Sequence, residues 1–414
     1  MNLFKTSFYT SISTAITFIC GFIVAKVVAV KIGPAGIAMV GQFQNTTSIL
    51  AMLGAGAVNM GVVKYISENK GDRAMQQRIL THALSIVLIC SGVITLFVIL
   101  ASGWLSKLAF HTTDYAEVYL LFGIFLSFTT LNSLSNSIFN GLQEIKKLTI
   151  SNISFSILGI VFTVLFAYLW GVKGVLVAVN GTAFMVFLVN CYLYKHLHGF
   201  NWKPSFLNWD NKVIRQLFTF TMMSVISSLV LPSIQLIVRN KIIREFSITE
   251  AGYWQGVTRI SDYYLTFITT VLSVYYLPRL SEISDKGELR KEIFRGYKMI
   301  LPVVGLLALL IWLFRHYVVL ILFSPEFLPM KPLFTFQLLG DFIKISSWLL
   351  GFLMWAKAMI RPFLITEIVF STTYVLLSIF FIDNYGLIGA TFAFALNYTL
   401  YLITMLFVMK KYIL

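Results

Sequence analysis

Residues 250–277 read EAGYWQGVTRISDYYLTFITTVLSVYYL, and the fold is decided by how this stretch is read. As a helix it is long enough to cross the roughly 30 Å of a bilayer's hydrocarbon, and most of its side chains are apolar or aromatic. Yet Gln255, Arg259, Asp262, Thr266, Thr269 or Thr270, and Ser273 recur three or four apart, which puts them along one helix face. Inside a bilayer such a stripe must face protein or water. The stretch therefore reads as one span of a bundle with a polar interior.

The rest of the chain supports a bundle. Of 414 residues, 58% are hydrophobic and 12% charged, with mean hydropathy +0.83, so most of the chain needs lipid as its solvent. Hydropathy places twelve spans near 8–30, 37–62, 79–101, 115–139, 150–170, 174–194, 213–238, 250–277, 296–314, 331–355, 361–381 and 386–409. The polar residues Thr10, Ser11, Ser13, Thr14 and Thr17 break up any signal-peptide core, so the first stretch is expected to remain as a helix. The expected fold is an all-α polytopic membrane protein.

Charge sets the expected orientation. With both termini in the cytoplasm, 21 of the 32 Lys and Arg residues fall on the cytoplasmic side and 8 on the other, the asymmetry of the positive-inside rule. The +15 net charge is then a consequence of topology and calls for no nucleic acid. Cys20, Cys90 and Cys191 lie far apart in apolar stretches and read as packing residues. The five His form no metal motif and no phosphate-cradling GxxxxGK[ST] occurs, so no metal, cofactor or catalytic residue is expected.

The chain also repeats itself. An offset of 215 aligns Lys146 with Arg361, Gly171 with Gly386, Gly174 with Gly389 and Lys195 with Lys410. Near Ser67-Glu68 and Ser281-Glu282 the offset is 214, and near Ala35-Gly36 and Ala251-Gly252 it is 216. Two parallel six-helix lobes are expected, residues 1–198 and 213–414, joined by a cytoplasmic linker at 199–212.

Further polar positions follow the same logic. The seventh span carries Thr221, Ser224, Ser228, Gln235 and Arg239 on one face, and the tenth carries Gln337, Asp341, Lys344 and Ser347. Gln42, Asn45 and Ser48 mark the second span. Asn132, Asn136 and Asn140 mark the fourth, where interhelical hydrogen bonding is the favoured reading. Arg259 with Asp262, and Asp341 with Lys344, are three apart and suit either structural pairing or transport. Lys26 and Glu367 have no such local partner, which favours a functional role or a distant one.

The residues Gly33-Pro34-Ala35-Gly36, Trp254-Gln255-Gly256, Ile260-Ser261-Asp262, Ser273 to Pro278, Gln337 to Asp341 and Ala356-Lys357-Ala358 together resemble the Wzx-type flippases of the polysaccharide transporter family. The closest branch is the one that includes the enterobacterial common antigen lipid flippase, and the likeness runs from Lys5 to Lys411. It implies the fold of the multidrug/oligosaccharidyl-lipid/polysaccharide exporters, with a V-shaped central cavity between the lobes. The implied cargo is an undecaprenyl-pyrophosphate-linked oligosaccharide, for O-antigen or a related glycan, carried from the cytoplasmic to the periplasmic leaflet of the bacterial inner membrane.

The resemblance places cavity-lining helices where Lys26, Gln42, Asn45, Arg239, Arg259 and Asp262 fall, and Gln255 joins them on the eighth-span stripe; Lys26, Gln42, Asn45, Arg239, Gln255 and Arg259 are the expected substrate-binding residues. Lys26 and Arg259 are the cations expected to attract the pyrophosphate. Asp262, Asp341, Lys344 and Glu367 are expected to couple or gate. Fold similarity implies a monomer in membrane lipid, with loose contacts to a polymerase and a chain-length regulator. A polymerase or ligase of similar span number is disfavoured, because the longest external segments, 102–114 and 315–330, are too short for acceptor chemistry. A small-molecule exporter of the same fold remains the alternative.

Overall fold

The computed structural model describes residues 3–195, 197, 204, 210–219, 221–283, 285–357 and 359–410. Among these, every regular element is helical. Eight stretches are long and apolar enough to cross a membrane. Two of them, Ile12–Gly54 and Ile145–Lys195, span 43 and 51 residues, enough to cross twice each. Thr221–Glu245 and Ile248–Val271 complete the twelve expected, and in the second Gln255, Arg259 and Asp262 interrupt the apolar run.

The two long stretches fold back at glycine. Gly33 (φ 70°, ψ −169°) and Gly171 (φ 58°, ψ −132°) occupy backbone space open to glycine, and Pro34 fits the first turn of the next helix, which needs no N–H there. Gly386 (φ 68°, ψ −153°) makes the same turn between Ile360–Tyr385 and Leu387–Val408. The hairpins at Gly171 and Gly386 also close alike. A Cβ on Gly174 would lie 2.0 Å from the Phe166 carbonyl oxygen, and one on Gly389 would lie 2.0 Å from that of Phe381. Both pairs are related by the 215-residue offset, so the repeat extends from sequence to backbone contact.

The chain divides into two compact units, Met1–Ile32 with Met39–Ser233, and Gly33–Ala38 with Ile234–Leu414. In the first, Val58, Val62, Ile66, Ile79, Leu80, Leu134 and Ile138 form a core. The amphipathic helix Asn211–Thr219 docks Val213 and Leu217 on it. Its entry is fixed by Asp210, whose backbone N–H donates to Nε2 of buried His82 at 2.9 Å, while Nδ1 of His82 faces the Arg78 carbonyl at 2.8 Å. The asparagines of the fourth span act as interhelical glue. Asn132 donates to the Ala183 carbonyl (2.8 Å) and accepts from Asn190 (2.9 Å), and Asn136 donates to Asn152 and accepts from Ser151.

In the second unit, Leu265, Ile268, Leu272, Tyr276 and Leu280 pack against Ile293, Val304, Ile345, Leu349, Leu353 and Met405. The Gly33–Ala38 turn belongs here by its contacts: a Cβ on Gly252 would fall 2.0 Å from the Pro34 carbonyl oxygen. The 35–36 and 251–252 segments, matched in the repeat, therefore meet.

Three expected boundaries shift for identifiable reasons. The helix expected over 37–62 stops at Gly54, because Gly56 and Ala57 take positive φ (59° and 49°), and a new helix starts at Asn59. The helix expected at 296–314 starts at Lys286, where the Asp285 carboxylate accepts from the Glu288 N–H at 2.7 Å and caps it. The eighth span is α-helical only to Val271 and then opens into a π-helix at Leu272–Tyr276.

Candidate functional site

The Ile248–Val271 helix starts at Ser247, whose hydroxyl accepts from the Glu250 N–H at 3.1 Å. Its polar stripe divides into parts with different surroundings. Gln255 is buried and accepts a hydrogen bond from the guanidinium of Arg239, itself fully buried and 5.6 Å from the centre of the Trp254 ring. The Thr258, Thr266, Thr269, Thr270 and Ser273 hydroxyls donate back to carbonyls of their own helix three or four residues earlier. Arg259 is half-buried and Asp262 is exposed by side-chain area.

Asp341 sits opposite, on the Phe334–Ala356 helix, fully buried. One carboxylate oxygen accepts from Ser261 at 2.6 Å and Tyr264 at 2.7 Å; the other accepts from Gln337 at 3.4 Å. These donors are what allow a carboxylate to be buried. Lys344, one turn on, does not point at that carboxylate. Its ammonium lies among the rings of Trp348, Tyr398 and Phe394, at 4.9, 5.4 and 5.8 Å from their centres. Asp262 and Asp341 are its anionic neighbours, and Asp262 also has Arg259 nearby. Glu367, half-buried on Ile360–Tyr385, faces the neighbourhood of Tyr398 and Tyr401.

Seven of the ten residues singled out in the sequence thus lie in the second unit: Arg239, Gln255, Arg259, Asp262, Asp341, Lys344 and Glu367. Lys26, Gln42 and Asn45 lie in the first; Lys26 is half-buried on the helix before the Gly33 turn, and on the helix after it Gln42 is buried and Asn45 half-buried. Ser261 and Tyr264, the donors to Asp341, escaped the periodic reading, although they flank Asp262 in the quoted stretch. The rings around Lys344 escaped it because aromatic residues make up 15% of the chain and carry little local signal. Among the described residues, no group of three His, Cys, Asp or Glu is placed to hold a metal ion.

The architecture is that of a polytopic all-α membrane protein with the fold of the MOP-superfamily transporters. A multidrug resistance MATE family transporter of that superfamily, in an inward-facing conformation, superposes with TM-score 0.81 at 15% identity, over 96% of this chain and 94% of that one. The lipid II flippase MurJ, in an inward closed conformation, superposes with TM-score 0.76 at 15% identity, over 98% and 87%. The chain belongs to the polysaccharide biosynthesis protein family, whose profile matches residues 3–284. It is 30% identical over 409 residues to the lipid III flippase of Escherichia coli (strain K12), covering 97% of this chain and 96% of that protein. These relatives are transporters and flippases, not enzymes.

Proposed function

We propose that this protein flips an undecaprenyl-pyrophosphate-linked oligosaccharide from the cytoplasmic to the periplasmic leaflet of a bacterial inner membrane, by alternating access and with both termini in the cytoplasm. Its place is in the Wzx-type branch that serves enterobacterial common antigen. The observation that carries this reading is the full-length identity to a lipid III flippase, which no partial or fold-only likeness would supply. The chemistry is compatible with it. A pyrophosphate needs cationic hydrogen-bond donors to leave water, and Arg259 and Lys26 are half-buried cations on their helices. Gln42, Asn45, Arg239 and Gln255 complete the substrate-binding set; Gln42, Arg239 and Gln255 are buried in this conformation and meet the sugar hydroxyls in a rearranged state. Asp262, Asp341, Lys344 and Glu367 form the coupling or gating set.

The test is complementation. In a strain deleted for its own lipid III flippase, expression of this chain is expected to restore display of the corresponding surface glycan. An Arg259→Ala variant is expected to reach the membrane at normal levels and leave the glycan undelivered. Full display by that variant removes Arg259 from the mechanism. Failure of the native chain to restore any glycan, together with resistance to small cationic drugs, replaces the flippase reading by the exporter one.

A further inference from the structure

Lys344 is a cation in an unusual setting. Its ammonium lies near three rings, Trp348 one turn along its own helix and Phe394 and Tyr398 one turn apart on Leu387–Val408, and it donates to the Tyr398 hydroxyl. Phe394 and Tyr398 meet edge to face (4.9 Å between centres, 68° between planes), and Tyr374 braces Phe394 from behind at 6.0 Å. Room for Phe394 is provided by Gly340, one turn before Lys344, where a Cβ would lie 2.4 Å from the Phe394 ring. The rings' negative faces attract an ammonium, and such boxes are how proteins recognise alkylated ammonium groups.

The nearby carboxylates complete the electrostatics without taking over the contact. Asp341 already has its oxygens engaged by Ser261, Tyr264 and Gln337. A small hard cation, which wants several free oxygens, is poorly served there; a soft organic ammonium is well served.

We propose that this cluster is an ammonium-binding site whose ligand is built into the chain as Lys344, and that shortening the side chain lets a small primary alkylammonium from solution take its place. Native Lys344 is a tethered ligand. It fills the site in this structure, with Asp262 and Asp341 as its anionic neighbours and Arg259 beside Asp262.

The test uses the purified full chain in detergent and reads thermal melting, which does not depend on what the protein transports. Lys344→Ala is expected to melt below the native chain, and propylammonium chloride, which matches the deleted Cγ to Nζ atoms, to recover part of the loss saturably. Sodium chloride at equal ionic strength is expected to leave the variant unchanged, and propylammonium to leave the native chain unchanged. Adding Trp348→Leu to Lys344→Ala is expected to abolish the response. No recovery, or equal recovery with sodium or in the native chain, overturns the proposal. If Lys344→Ala does not accumulate, Lys344→Met and Lys344→Arg decide. A cage for positive charge retains Arg and is weakened by the isosteric apolar Met, whereas a Met variant as stable as the native chain, or failure of both, overturns it.

Discussion

The Tyr264 hydroxyl donates to the carboxylate of Asp341 across 2.7 Å, and Ser261, one turn earlier on the same helix, donates to the same oxygen at 2.6 Å. Two helices of the second unit are thereby joined at a buried charge.

Removing one of those donors leaves the carboxylate short of a partner. Such a loss costs about 1–3 kcal/mol in soluble proteins, and membrane interiors average nearer 0.6 kcal/mol. Tyr264→Phe is expected to lower the melting temperature of the purified protein by a few degrees, with Ser261→Ala acting similarly. In an Asp341→Asn background the effect of Tyr264→Phe is expected to shrink, because the charge that needed the donor is gone; strict additivity in that double-mutant cycle would contradict the assigned contact.

The hairpin glycines give a matched pair of substitutions. Gly174→Ala and Gly389→Ala each place a Cβ 2.0 Å from a backbone carbonyl oxygen, which no rotamer change relieves. Both are expected to reduce folded protein in the membrane severely, measured as the monodisperse fraction after detergent extraction. Gly159→Ala, with nothing within 4 Å of the new atom, is the control and should accumulate normally.

Arg239 is fully buried and hydrogen-bonded to Gln255. Truncating one partner of a buried charged contact typically costs about 3–5 kcal/mol when the other is left charged, and less when the charge itself is removed. Gln255→Leu, which takes one acceptor away from the buried guanidinium, is therefore expected to destabilise the protein more than Arg239→Met, which leaves only a neutral amide without its donor. The reverse order of melting temperatures would show that the amide, not the cation, is the harder group to leave alone.

The linker helix offers a test by exchange. His82→Ala removes the acceptor of the Asp210 N–H, and Leu217→Asp puts a charge into the apolar contact of Asn211–Thr219. Both are expected to speed amide hydrogen exchange across residues 210–219, with little change in the 116–141 helix. Unchanged exchange in Leu217→Asp would mean the docking contributes nothing to holding that helix.

The polar periodicity of 250–277 and the 215-residue repeat were readable because each is a regular pattern that the fold obeys directly: helical faces in one case, repeated backbone turns at Gly171 and Gly386 in the other. Partner choice was not. Asp341 and Lys344 are three apart and could have faced one another, but that spacing fixes proximity and leaves the rotamers open. Each side chain turned to groups far away in sequence, Ser261 and Tyr264 for the acid, Phe394 and Tyr398 for the base. The early start of the Lys286–Leu313 helix was written in Asp285 and Glu288, an acid at the cap and another three residues on, yet a reading by hydropathy passes over charged turns. The π-helix has no residue signature.

That wide turn decides where Arg279 goes. Leu265, Ile268 and Leu272 form the apolar meridian of their helix, and at the ordinary 3.6 residues per turn the meridian would run on toward position 279. The wider winding over Leu272–Tyr276 accommodates one more residue, a phase change of about 100°. Leu280 then joins Tyr276 on the apolar side, while Arg279 swings out to meet Glu288 at 2.8 Å and Glu282 at 3.8 Å. Without that extra amino acid, the same sequence would drive a guanidinium into the driest part of the bundle.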